Sequence, residues 1–149
     1  FLRMKKILFC LFVIFSFSNC HQQAPSVTNS SIEGTWKMVA AEIMENDSIQ
    51  TKDLSNTTFI KIINTTHFSF FNQENSGDKN FYSGAGTYTL KGHNYTEILN
   101  FTSVEAIKNH EFSFNVRFSH DTLIQSGIEK VQAAGINRTI TEKYIKLNE

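Results

Sequence analysis

His110-Glu111-Phe112-Ser113-Phe114-Asn115-Val116-Arg117-Phe118 alternates apolar and polar residues without interruption from Glu111 onward. Side chains on a strand point alternately to opposite faces. Phe112, Phe114, Val116 and Phe118 therefore share one face, and Glu111, Ser113, Asn115 and Arg117 the other. This is a strand with one face in a core and one in water.

The same period of two recurs on either side. Gly34 to Glu45 sets Trp36, Met38 and Ala40 against polar positions, and Asn46-Asp47-Ser48 is turn chemistry. Thr58 to Ile63 and Thr66 to Phe71 hinge at Asn64-Thr65, and Asn72 to Asn80 is a polar loop around Gly77-Asp78. Gly84 to Leu90 and Asn94 to Phe101 form a hairpin through Lys91-Gly92-His93. Thr122 to Ser126 follows a tight turn at His120-Asp121, and Arg138 to Leu147 closes the domain. Ser103 to Lys108 and Ile128 to Ala134 read as short helical turns. No helix separates successive strands, which argues against a parallel sheet. The class is all-β, and eight short strands in succession predict an eight-stranded antiparallel up-and-down barrel, which leaves no sheet edge open. A β-sandwich is the alternative.

The start of the chain has a different character. Met4 reads as the start, followed by Lys5, Lys6 and an apolar run from Ile7 to Phe17 broken only by Ser16. A short basic segment before such a run predicts a secretory signal peptide over residues 1–19. The run is too short for a membrane-spanning helix, which needs about 20 apolar residues. Phe17-Ser18-Asn19-Cys20 resembles a lipobox, in which the cysteine takes a lipid and becomes the first residue of the mature protein. Phe17 and Asn19 depart from the usual residues of that pattern. Cys10 and Cys20 are the two cysteines of the chain, so the domain after them has no disulfide. Residues 20–31 are expected to be the lipidated cysteine and a polar tether, and residues 32–149 the barrel domain.

Charge excludes one class of partner. The whole chain carries 14 basic and 14 acidic residues; without Arg3, Lys5 and Lys6 the mature part has 11 basic against 14 acidic. Nucleic acid recognition needs a clustered basic face, so none is expected. The expected partner is a membrane, reached through the lipid on Cys20. The expected location is the bacterial cell envelope, at the outer membrane facing the periplasm, with exposure at the cell surface as the alternative.

Gly34-Thr35-Trp36-Lys37 at the first strand resembles the Gly-x-Trp signature of lipocalin-type barrels. Together with His67-Phe68, Gly86-Thr87-Tyr88-Thr89-Leu90, Tyr95-Thr96-Glu97 and Ile140-Thr141-Glu142-Lys143-Tyr144-Ile145-Lys146, the order is similar to lipocalin-like domain lipoproteins of the Bacteroidota. The resemblance covers about Ile32 to Leu147. It implies that Trp36 plugs one barrel end under a basic side chain from the last strand, here Lys146. Tyr144 stands where that family more often has Trp, and Lys146 where Arg is common.

Parity supplies the candidate site. Tyr95, Glu97, Leu99 and Phe101 share a face whose apolar members argue that it points inward, as do Ile140, Glu142, Tyr144 and Lys146. Buried carboxylates need partners, and Lys146, Arg138, a tyrosine hydroxyl, water or a ligand are the candidates. The expected pocket sets Glu97 and Glu142 with Tyr88, Tyr95 and Tyr144, against an apolar wall of Phe112 and Phe114. Small-molecule sites have this mixture. A closed structural hydrogen-bond network is the competing account of the same residues. His67 is expected outside, opposite Phe68 and Phe70. No metal-ligand spacing is present, no cofactor is expected, and no nucleophile elbow, phosphate loop or zinc-protease helix motif marks an enzyme. The expected function is a carrier or receptor for a small, partly apolar molecule such as a fatty acid, sterol or glycolipid fragment. The alternative is an envelope interaction module with a filled core.

Overall fold

A computed structural model describes residues 31–76 and 80–147. The signal peptide, Cys20, nearly all of the tether and Gly77-Asp78 lie outside the described residues. Nine strands follow in order: β1 (Gly34–Glu45), β2 (Ser48–Thr51), β3 (Thr57–Ile63), β4 (His67–Glu74), β5 (Tyr82–Lys91), β6 (Asn94–Thr102), β7 (Glu111–Ser119), β8 (Thr122–Val131) and β9 (Ile136–Lys146). All pairings are antiparallel, and β9 returns to pair with β1. Eight strands, β1 and β3 to β9, therefore close an up-and-down barrel, the architecture expected from the alternating pattern. Every strand of the ring has both neighbours within Gly34–Lys146, so the sheet closes without help from outside that span.

The ninth strand, β2, pairs only with Glu42–Glu45 of β1 and extends the rim at one end. Asn46 and Asp47 join them with φ of 49° and 59°, the two positive values that a type I′ hairpin turn requires. The segment Ser48-Ile49-Gln50-Thr51 is exposed throughout, so it has no buried face to write an alternating pattern.

Three expectations are corrected by the pairing. Ile128 to Val131 is strand, because it continues the β8–β9 ladder through Glu129↔Arg138; only Gln132–Ala134 makes a 3-10 turn. On β1 the register shifts between Met38 and Ala40, and the inward position passes to buried Ala41 instead of Ala40. On β6 the register against β5 shifts between Ala85 and Thr87. Phe101 is turned outward and is 67% exposed, while Thr102 faces the interior. A β-bulge has this effect, since one extra residue exchanges the faces beyond it. Gly86 permits the shift: a Cβ there would collide with the carbonyl oxygen of Ile98.

The two barrel ends differ. At one end lie the β3–β4, β5–β6 and β7–β8 turns and the beginning of β1. Trp36 fills this end, 2% exposed, with its indole N–H donating to the Ile32 carbonyl at 2.8 Å. Phe118 packs against it at 6.0 Å between ring centroids. Lys146 Nζ lies 5.4 Å over the indole, the plug that the family resemblance implies. Gly34 has φ of 144°, and a Cβ there would run into the Lys146 side chain. The glycine of Gly-x-Trp is thus what lets the lysine stem lie across the tryptophan.

Candidate functional site

At the other end the barrel is open. A cavity of about 400 Å3 reaches inward from a rim formed by β2, Tyr82–Ser83, Thr102–Ile107 and Ile136–Arg138. That volume lies in the range of small-molecule sites. Phe59, Phe70, Phe112, Phe114 and Ile140 give it an apolar wall.

Its floor is polar, and β3 explains why. Phe59, Lys61 and Ile63 share the inward face of that strand, all buried. Lys61 therefore brings an ammonium group into the core, where it needs anionic and hydrogen-bonding partners. Its Nζ forms an ion pair with Glu97 of β6 and donates to Gln125 Oε1 of β8 at 2.8 Å. The rings of Phe68, Tyr95 and Tyr144 surround the same nitrogen at 5.6, 5.1 and 6.0 Å. The amide N–H of Gln125 then donates to Glu142 Oε2 at 3.3 Å, and the Tyr144 hydroxyl donates to the same oxygen at 2.7 Å. Five side chains from four strands form one chain of contacts across the barrel: Glu97, Lys61, Gln125, Glu142 and Tyr144.

Burial dominates the electrostatics. It raises the Glu142 carboxyl above the usual carboxylate range; Lys61 and the Tyr144 hydroxyl pull the other way, and Glu129 and Glu97 push further up. Burial also drives the Tyr144 and Tyr95 phenols far up, and the neighbouring Glu142 and Glu97 carboxylates add to it. Both phenols are neutral at any ordinary pH; the Tyr144 hydroxyl donates to Glu142, while the buried Tyr95 hydroxyl has no hydrogen-bond partner among the described residues.

Of the residues singled out from sequence, Glu97, Phe112, Phe114, Glu142 and Tyr144 line the cavity. Tyr88 and Tyr95 do not. Tyr95 is wholly buried, with its ring against Lys61. Tyr88 packs on Tyr95 at 5.1 Å, and its hydroxyl donates to the Asn64 carbonyl in the β3–β4 turn at 2.7 Å. Both belong to the closed end. Of the partners foreseen for the carboxylates, a tyrosine hydroxyl is found, that of Tyr144 on Glu142; Lys146 instead covers Trp36, and Arg138 pairs with Glu129 at 2.6 Å near the rim. Sequence reading missed Lys61 and Gln125, although parity marks both. Lys61 sits between Phe59 and Ile63, and Gln125 is two residues from buried Leu123.

His67 is exposed and bonds the neighbouring Thr66 hydroxyl at 2.7 Å. Among the described residues no group of three His, Cys, Asp or Glu side chains is arranged to hold a metal ion.

An up-and-down barrel stoppered at one end, with an apolar cavity over a polar floor at the other, defines the class of this domain. Residues 31–149 match the DUF4488 profile, described as a domain of unknown function. The chain belongs to that family. No curated protein matches it.

Proposed function

We propose that this protein is a lipid-anchored component of a bacterial envelope, related to the lipocalin-like lipoproteins of the Bacteroidota, that binds a small amphipathic molecule in its barrel. The observation that carries the reading is the cavity itself: one mouth, an apolar wall, and the Lys61–Glu97–Gln125–Glu142 floor. A purely structural network needs no approach from solvent, whereas this one lies at the bottom of an opening. The anchor is supported by the basic and apolar start of the sequence and by Cys20. We read the role as binding: Glu97 is held by Lys61, and Glu142 accepts two hydrogen bonds within the floor, an arrangement suited to orienting a guest.

Native mass spectrometry tests the binding reading. A chain starting at His21 retains every strand of the closed barrel and is expected to leave the cell with a stoichiometric adduct that is lost on denaturation. A protein that carries no adduct and takes up none from a total lipid and metabolite extract would remove the carrier reading. Fatty-acid labelling of the full chain, abolished in Cys20→Ser, tests the anchor.

One observation favours the interaction module. Ile49, Met44, Thr139 and Ile128 are register partners in a row across β2, β1, β9 and β8. Their shared outer face exposes 69% of Ile49 and 63% of Ile128.

A further inference from the structure

The cavity floor holds two carboxylates and one ammonium group. Lys61 is committed to Glu97 and Gln125. Glu142 receives only neutral donors, and both end on the same oxygen, Oε2. Oε1 accepts no hydrogen bond among the described residues, and Glu142 lines the cavity. Above it stand Phe59, Phe112, Phe114 and Ile140, which offer no further donor. Around the carboxylate, Lys61 on β3 is the positive group, Glu97 on β6 and Glu129 on β8 are negative, and Tyr144 on β9 donates. Near the rim, Arg138 is taken by Glu129, and Lys52 lies over the Phe59 and Tyr82 rings and donates to the Tyr82 hydroxyl at 3.2 Å.

We propose that the ligand of this cavity carries a primary amine on an apolar body and enters head first, its ammonium group donating to Glu142 Oε1. This inference rests on the binding reading above and narrows it to a ligand class. An ammonium head gives Oε1 a donor and balances the second carboxylate of the floor. A carboxylate head reaching the floor would meet Glu142 and Glu97, with the one floor lysine, Lys61, already occupied. Like charges at such a place repel strongly. Fatty acids are therefore the wrong class, and alcohols such as sterols satisfy the hydrogen bond but not the charge.

The test is a matched series, decylamine, decanol and decanoate, displacing the neutral fluorescent probe N-phenyl-1-naphthylamine from the chain starting at His21 at neutral pH. Decylamine is expected to bind about tenfold more tightly than decanol, the worth of a charge-assisted hydrogen bond, and decanoate most weakly. Glu142→Gln is expected to remove the amine preference while decanol binding stays. The wild-type series decides the matter even if that variant folds poorly. Decanol or decanoate binding as well as decylamine would overturn the amine class and leave the binding cavity standing. No binding of the neutral probe or of any member would overturn the cavity reading, and the amine class with it.

Discussion

Lys61 on β3 and Glu97 on β6 form an ion pair across the inside of the barrel, with side chains only 4% and 9% exposed. The two strands are not neighbours, since β4 and β5 lie between them in the sheet. The pair therefore ties opposite parts of the wall together. Its net worth is small beside the cost of breaking it from one side, because the remaining charge stays buried without a partner.

Lys61→Met is accordingly expected to destabilise the barrel by about 3–5 kcal/mol, read from urea unfolding. The double variant Lys61→Met, Glu97→Leu is expected to lose much less than the sum of the two single changes. Strictly additive losses would mean that the two groups do not act as a pair.

The Glu142 carboxyl gives stability a pH dependence of unusual sign. Burial raises it above the ordinary value of 4.5, with Glu129 and Glu97 adding and Lys61 and Tyr144 opposing. A carboxyl raised in the folded state holds its proton more tightly there than in the unfolded chain. Its contribution is full below 4.5 and is lost as the pH rises from 4.5 through the raised value. Urea midpoints measured from pH 4.5 upward are expected to fall more steeply for the wild type than for Glu142→Gln. Parallel curves would show that Glu142 titrates normally.

Gly86→Ala and Gly34→Ala separate two kinds of crowding. At Gly86 the obstacle is backbone, the Ile98 carbonyl, which cannot move without undoing the bulge. The expected loss is at the upper end of the usual 1–3 kcal/mol for overpacking, or about 3 kcal/mol. At Gly34 the obstacle is the flexible end of Lys146, so the clash is relieved by swinging the lysine away, which leaves backbone strain and the loss of its contact with Trp36. Thermal unfolding of the two variants is expected to rank Gly86→Ala well below Gly34→Ala.

Trp36 is the one tryptophan of the chain, so its fluorescence reports the closed end alone. Lys146→Ala removes the cation over the indole and is expected to cost about 0.5–1 kcal/mol, followed by unfolding-linked emission. The emission of folded wild type is expected to stay in the blue and to resist iodide quenching. Binding at the open end is expected to leave it nearly unchanged, because Trp36 does not line the cavity. A large ligand-induced shift would place the guest at the wrong end.

The barrel was legible because most strands have one wet and one dry face, which writes a period of two into the residues. Where that contrast fails, so does the reading. Exposed β2 has no dry face. The bulge at Val39–Ala40 interrupts the period with no residue type that announces it, and the one near Asn100 is marked only by Gly86 on the neighbouring strand, so strict alternation puts Ala40 and Phe101 on the wrong side. For the site, Glu97 and Glu142 stood out as charges on apolar faces. Lys61 stands in the same relation to Phe59 and Ile63, but a lysine within a short strand reads as a solvent-facing residue unless its neighbours two positions away are weighed. The level of a side chain along the barrel axis is set by strand tilt and stagger. Parity carries no information on it, and so does not separate Tyr88 and Tyr95, which lie beneath the pocket, from the residues that line it.

The tryptophan stopper makes this domain a cup and not a pipe. A guest of the proposed kind would have to back out along the path by which it came in, so filling and emptying would compete for one doorway. Any molecule receiving it would have to meet the protein at that rim and would grip first the end that went in last.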